Sequence, residues 1–167
     1  MHDTEIRQEI VDRVLARRGR YHLFDSLDPA KTALVVIDMQ GTFVEPGSPA
    51  EVPSSRGIVD NINFITGALR DLGATIIWVT HANAYNSRAS DWDMFFNNFV
   101  AADVRQRTIE SLSPDGEGQT VWRDLEVGSD DLQITKNRYS ALIPGSSHLE
   151  RTLRSRGITN LLIAGTK

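Results

Sequence analysis

The stretch TALVVID, Thr32 to Asp38, follows Pro29 as an unbroken apolar run, rich in β-branched residues, that closes on a carboxylate. Continuous hydrophobicity over so few residues marks a strand covered on both faces, as in the middle of a parallel sheet. Asp38 then falls where the strand leaves the core and opens at the surface. Working outward, ATIIWVTHAN (residues 74–83), DLQITK (131–136) and ITNLLIAGTK (158–167) read as three further strands, each running into polar residues. Between them, IVDNINFITGALRDLG places Ile58, Ile62, Ile65 and Leu69 at helical spacing before Gly73, and SSHLERTLRSRG reads as a capped helix.

The order strand, helix, strand, long excursion, strand, helix, strand predicts a three-layer, Rossmann-like α/β fold: a parallel sheet with helices on both faces. The fourth strand, Leu161 to Ala164, is as apolar as the first. An interior place for it requires another strand after Lys167, so the sheet reads as truncated after its fourth strand. Residues 39–57, rich in Pro, Gly and Ser, read as loop. The excursion from Tyr85 to Gly128 carries Trp92, Phe95, Phe96 and Phe99 and then the polar SPDGEGQT; it is too long for a plain connection and predicts a short helix and a lid over a pocket. At the N-terminus, Ile6, Ile10 and Val14, with Val11 and Leu15, form the apolar face of a helix with Asp3 or Thr4 as its cap and Gly19 as its stop. Residues 1–30 are therefore expected to be an amphipathic helix and linker, packing on the body or on a second subunit, with one domain over 31–167.

The 167 residues are 40% hydrophobic, as a globular core requires, and carry a net charge of -4. No basic stripe tracks a phosphate backbone, so nucleic acid is not an expected partner. The apolar runs are far shorter than the roughly 20 residues that span a bilayer. No secretory signal is visible and no cysteine is present, which leads to the expectation of a cytoplasmic protein.

Asp38, His81, Lys136 and the turn from Gly165 to Lys167 all lie at strand carboxyl ends, the edge where such sheets bind ligands. Asp38 and Lys136 would share one cleft, where opposite charges hold each other ionised. From spacing alone the pair is equally readable as a structural cap on the sheet.

ALVVIDMQGTFVEPG, ITKNRYSAL and LRSRGITNLLIAGTK resemble, in this order, the three signature regions of the isochorismatase-like cysteine hydrolases. RYSA and LRSRGI are most similar to the amidohydrolase branch, that of the ureidoacrylate amidohydrolases and N-carbamoylsarcosine amidases. The resemblance implies an Asp-Lys-Cys triad, with Asp38 and Lys136 as the first two members and the cysteine beyond Lys167. It implies a cis peptide between Thr166 and Lys167, with the Lys167 N–H in the oxyanion hole, and Phe43 and Tyr139 in the pocket wall. His81 falls where some relatives hold zinc, but the Asp-x-His element of the zinc-dependent nicotinamidases is absent, so His81 is expected to be a polar pocket group; no metal or other cofactor is expected. Asn83 and Trp92 are weaker pocket candidates. The implied reaction is hydrolysis of a C–N bond in a small amide, ureido or N-carbamoyl substrate by a homo-dimer or homo-tetramer. Two alternatives remain open at this point: vinyl ether hydrolysis with Asp38 as general acid, and a non-catalytic member of the fold.

Overall fold

The computed structural model describes residues 6–86 and 89–166. Four parallel strands form the sheet: β1 (Thr32–Ile37), β2 (Thr75–His81), β5 (Leu132–Lys136) and β6 (Asn160–Gly165), in the order β5-β2-β1-β6. The short pair β3 (Tyr85–Asn86) and β4 (Ala89–Ser90) forms a separate antiparallel ribbon.

β1 shows why the apolar run is unbroken. Leu34 and Val36 face one layer, where they meet Ile62, Ile65 and Leu69 of helix α3 (Val59–Asp71) together with Trp78, Trp122 and Leu125. Ala33 and Val35 face the other, against Ile134 and against Leu149 and Leu153 of helix α6 (Leu149–Ser155). Each fully buried aliphatic side chain contributes about 1.5 to 3 kcal/mol, so both faces select apolar residues and no alternation survives. The three-layer α/β architecture expected from the sequence is the one observed.

Like β5 at the other edge, β6 is one of the two outer strands among the described residues. Its side chains alternate in exposure, and Leu161 and Ile163 are 45% and 69% exposed. Its last residue, Gly165, has φ 118°, and a Cβ there would collide with the backbone oxygen of Ile37. Only glycine lets the two strand ends run this close.

Two segments are more structured than their composition suggests. Within residues 39–57 lies helix α2 (Gly41–Val44), which buries Thr42, Phe43 and Val44, and the residues Pro53–Ile58 form a 3-10 helix. Packing of Phe43 and Val44 overrides the turn-forming composition around them. The excursion holds two helices rather than one, α4 (Asp93–Phe99) and α5 (Ala102–Ser111). Ser90 N–H donates to Asp93 Oδ1 at 2.8 Å and Trp92 N–H donates to Ser90 Oγ at 3.2 Å, which organises the entry to α4. Phe96 of α4 and Ile109 of α5 then pack with Phe43 and Leu112 in a third apolar cluster.

Helix α1 (Gln8–Arg18) ends as expected at Gly19 in the left-handed conformation, with its N–H donated to Leu15 O at 2.8 Å, and none of its residues is fully buried. The expected caps Asp3 and Thr4 lie outside the described residues. No helix among the described residues is long and apolar enough to cross a membrane.

Candidate active site

β1 ends by turning sharply at Asp38, which adopts φ 57° with its N–H donated to Val79 O at 2.9 Å. Among the described residues it is the only non-glycine with positive φ, a conformation that aspartate tolerates better than most side chains. The turn brings its carboxylate to Lys136, at the end of β5: Lys136 Nζ lies 3.0 Å from Asp38 Oδ2, and the two side chains are only 1% and 4% exposed. The ammonium has two further acceptors, Arg138 O at 3.3 Å and His81 Nδ1 at a long 3.5 Å. With Nδ1 unprotonated, three acceptors face its three protons, which meets the condition for holding a charge away from water.

His81 ends β2, the strand between β1 and β5. Its pKa is lowered to about 4, chiefly by burial and next by the Lys136 ammonium, while the bond to Asn83 works in the opposite direction. At neutral pH its imidazole is uncharged.

Gln40 was not singled out from sequence, yet it is completely buried and links the ends of β1 and β2. Its Nε2 donates to His81 O at 2.9 Å and Gly118 O at 3.1 Å, and its Oε1 accepts from His81 N–H at 2.6 Å. Fixing the His81 backbone in this way is a task for a side-chain amide, which offers donor and acceptor side by side. The signal available in the sequence was its place two residues after Asp38 in the DMQ run.

A cavity of about 360 Å³ opens above these groups. Asp38, His81 and Lys136 are its titratable floor, Thr108 adds a hydroxyl-bearing side chain to the lining, and Phe43, Trp92, Phe95, Phe96, Phe99 and Tyr139 give it an aromatic wall. Trp92 stacks on Phe95 with ring centres 4.3 Å apart, and Tyr139 meets both edge-on at 4.9 and 5.2 Å. Phe43, His81, Tyr139 and Trp92 thus all line the cavity. Asn83 does not: it is buried one layer behind His81, bonded to it at 2.8 Å, and lines no part of the cavity. Asn83 lies past the end of β2, where the pleat no longer directs side chains, and its amide nitrogen turns to Asp91 and Asn137, two residues that sequence reasoning had not grouped with it.

Thr166 N–H donates to Ile37 O at 3.0 Å, continuing the β1–β6 ladder beside Asp38. Lys167, and with it the expected cis bond and oxyanion donor, lies outside the described residues. Among the described residues no three His, Cys, Asp or Glu side chains gather as metal ligands would.

Residues 32–167 match the family described as Isochorismatase domain. A probable inactive nicotinamidase of Arabidopsis thaliana is 33% identical over 141 residues, covering 81% of this chain and 66% of that protein. The ureidoacrylate amidohydrolase RutB of Klebsiella pneumoniae subsp. pneumoniae is 27% identical over 151 residues, covering 84% of this chain and 63% of that one. The crystal structure of a cysteine hydrolase from Pseudomonas syringae pv. phaseolicola superposes with a TM-score of 0.70 at 27% identity, covering 84% of this chain and 62% of that one. The chain therefore spans somewhat less than two thirds of the length of these relatives.

Proposed function

The chain belongs to the isochorismatase family, through the domain matched over residues 32–167, and on that premise we propose that it supplies the acid–base half of a cysteine hydrolase site. The substrate class is a small amide, ureido or N-carbamoyl compound, and the bond cleaved is C–N. The observation that carries this reading is the buried Asp38–Lys136 pair, 3.0 Å apart, at the floor of an aromatic cavity.

In the proposed reaction Asp38 takes a proton from a cysteine thiol, and the thiolate attacks the substrate carbonyl carbon. Asp38 then returns the proton to the leaving nitrogen as the C–N bond breaks, and water attacks the resulting thioester with Asp38 again as base. Lys136 stabilises the anions on which the cycle depends, the carboxylate and the thiolate. The 167 residues contain no cysteine, so the reading takes the thiol from outside them, as it does the rest of the oxyanion hole beyond Lys167. The RutB relative and the Pseudomonas cysteine hydrolase support the direction of the reading. The aromatic wall suits the apolar body of such a substrate, with the scissile bond held at the polar floor.

Vinyl ether hydrolysis is less well supported, because it needs Asp38 to enter the cycle protonated, and an ammonium 3.0 Å away favours the charged form. The observation that favours a non-catalytic second reading is the Arabidopsis thaliana relative named a probable inactive nicotinamidase.

The experiment, on the natural protein isolated from its own cells, is ammonia release from a panel of ureido, N-carbamoyl and primary amide compounds, before and after iodoacetamide, with intact mass read on the same samples. We expect turnover that iodoacetamide abolishes, a thiol adduct in the mass, and a roughly 100- to 10,000-fold loss in Asp38→Asn with the circular dichroism spectrum unchanged. Turnover indifferent to Asp38→Asn would overturn the reading. No ammonia from the panel, but turnover of isochorismate that survives alkylation and needs Asp38, would redirect it to the vinyl ether chemistry. No turnover of any compound, and no adduct, would favour the non-catalytic alternative.

A further inference from the structure

Asn83 lies outside the cavity but at the head of a hydrogen-bonded series that ends on Asp38. Its amide nitrogen faces two acceptors, Asp91 Oδ1 at 2.7 Å and Asn137 O at 3.1 Å. These fix the amide's orientation, because turning it over would set its oxygen against a carboxylate and a carbonyl. Asn83 Oδ1 is then the atom 2.8 Å from His81 Nε2, and an amide oxygen has no proton to give. The imidazole must therefore carry its hydrogen on Nε2. With the ring neutral, Nδ1 is left as a lone pair facing Lys136 Nζ.

We propose that Asn83 is a positioning residue, which fixes the His81 tautomer so that Nδ1 serves as the third acceptor of the Lys136 ammonium and helps aim it at Asp38. The alternatives would be repulsive, since an Nδ1–H or an imidazolium would press a proton against the ammonium. The charged groups around the imidazole are consistent in sense. Lys136 from β5 and Arg138 just after it oppose a charge on the ring, and Asp91 from the segment before α4 favours one, more weakly than burial and Lys136 oppose it. Asp91 also binds the far side of this layer, accepting from Asn137 Nδ2 at 3.1 Å and, through its backbone oxygen, from Arg138 at 3.0 Å. The series thus runs from Asp91 beside the aromatic wall, through Asn83 and His81, to Lys136 and Asp38.

The first test is independent of any activity: long-range proton–nitrogen correlation spectra of the His81 ring near pH 7. A protonated Nε2 with a bare Nδ1 is expected; a bare Nε2, or both nitrogens protonated, overturns the proposal. In Asn83→Leu the fixed tautomer should be lost, giving an Nδ1–H or mixed signal, and an unchanged tautomer would show that Asn83 does not set it. The second test rests on the hydrolase reading. Since Asn83 does not line the cavity, Asn83→Leu should lower kcat roughly 10- to 100-fold, the equivalent of one hydrogen bond to a charged group, and leave KM within about twofold. A variant with an altered tautomer but unchanged kcat would overturn the link to Lys136. A protein without turnover on any substrate would refute the hydrolase reading while leaving the spectra to decide the role of Asn83.

Discussion

His81 takes up a proton only near pH 4 in the folded protein, because of burial and the neighbouring ammonium, whereas its ordinary value is 6.5. Between those two values the unfolded chain binds more protons than the folded one, so stability falls as the pH is lowered from about 6.5 and levels off below about 4. The contribution is about 2 kcal/mol by pH 5 and about 3 kcal/mol near pH 4. Urea unfolding of the protein and of His81→Asn at pH 7 and pH 5 isolates it: the variant should lose about 2 kcal/mol less than the parent over that interval, and equal losses would contradict the assignment. The Asp38–Lys136 pair makes a different prediction. Lys136→Met should cost about 3 to 5 kcal/mol, since it leaves a buried carboxylate without its cation, whereas Asp38→Leu combined with Lys136→Met should recover most of that loss. Thermal melts of the two variants check it, and a double variant no more stable than the single one would show that the pair holds the fold as well as the chemistry.

Two contacts decide how the elements are held. Asp131, just before β5, accepts from Arg70 of α3 at 2.8 and 3.1 Å, from Trp78 Nε1 of β2 at 2.8 Å and from Gly128 N–H at 2.8 Å. Burial pushes its carboxyl pKa up, but these donors outweigh that and hold it below the ordinary carboxylate range. Its share of stability is present above the unfolded value and is lost as pH falls through the folded one. Asp131→Asn turns an amide N–H toward donors and should cost about 2 to 3 kcal/mol in denaturant unfolding at pH 7. Gly165→Ala meets a steric limit instead, at φ 118° against the backbone of Ile37. The β1–β6 junction has to part for the methyl group, and faster hydrogen exchange at the Thr166 amide than in the parent is the expected sign. Neither feature was legible in the sequence: an Asp in a polar loop and a Gly after an apolar run have many uses, and only the register of β1, β2 and β6 selects these.

For the molecule as a whole, hydrogen exchange should separate two regimes. Amides of Leu34 to Ile37, in a strand paired on both sides, should open only with global unfolding, whereas those in the middle of α1, which has no fully buried residue, should exchange many orders of magnitude faster. Comparable protection in both would mean that α1 is held by contacts not seen here. The sheet was legible because burial on both faces leaves long apolar runs, and Asp38 and Lys136 because each closes such a run. Gln40, Asn83 and Asp91 were not, since their importance comes from side-chain bonds across up to 78 residues of sequence. The excursion that walls the cavity is fastened to the body at Gly118, whose carbonyl accepts from both Gln40 and Thr42 and whose missing side chain leaves room for Thr42 and Ser111. For protein engineering, that makes the wall a cassette with a fixed clasp: residues 92–112 are the ones to exchange to redraw the cavity, provided that Gly118, just beyond the graft, is left in place.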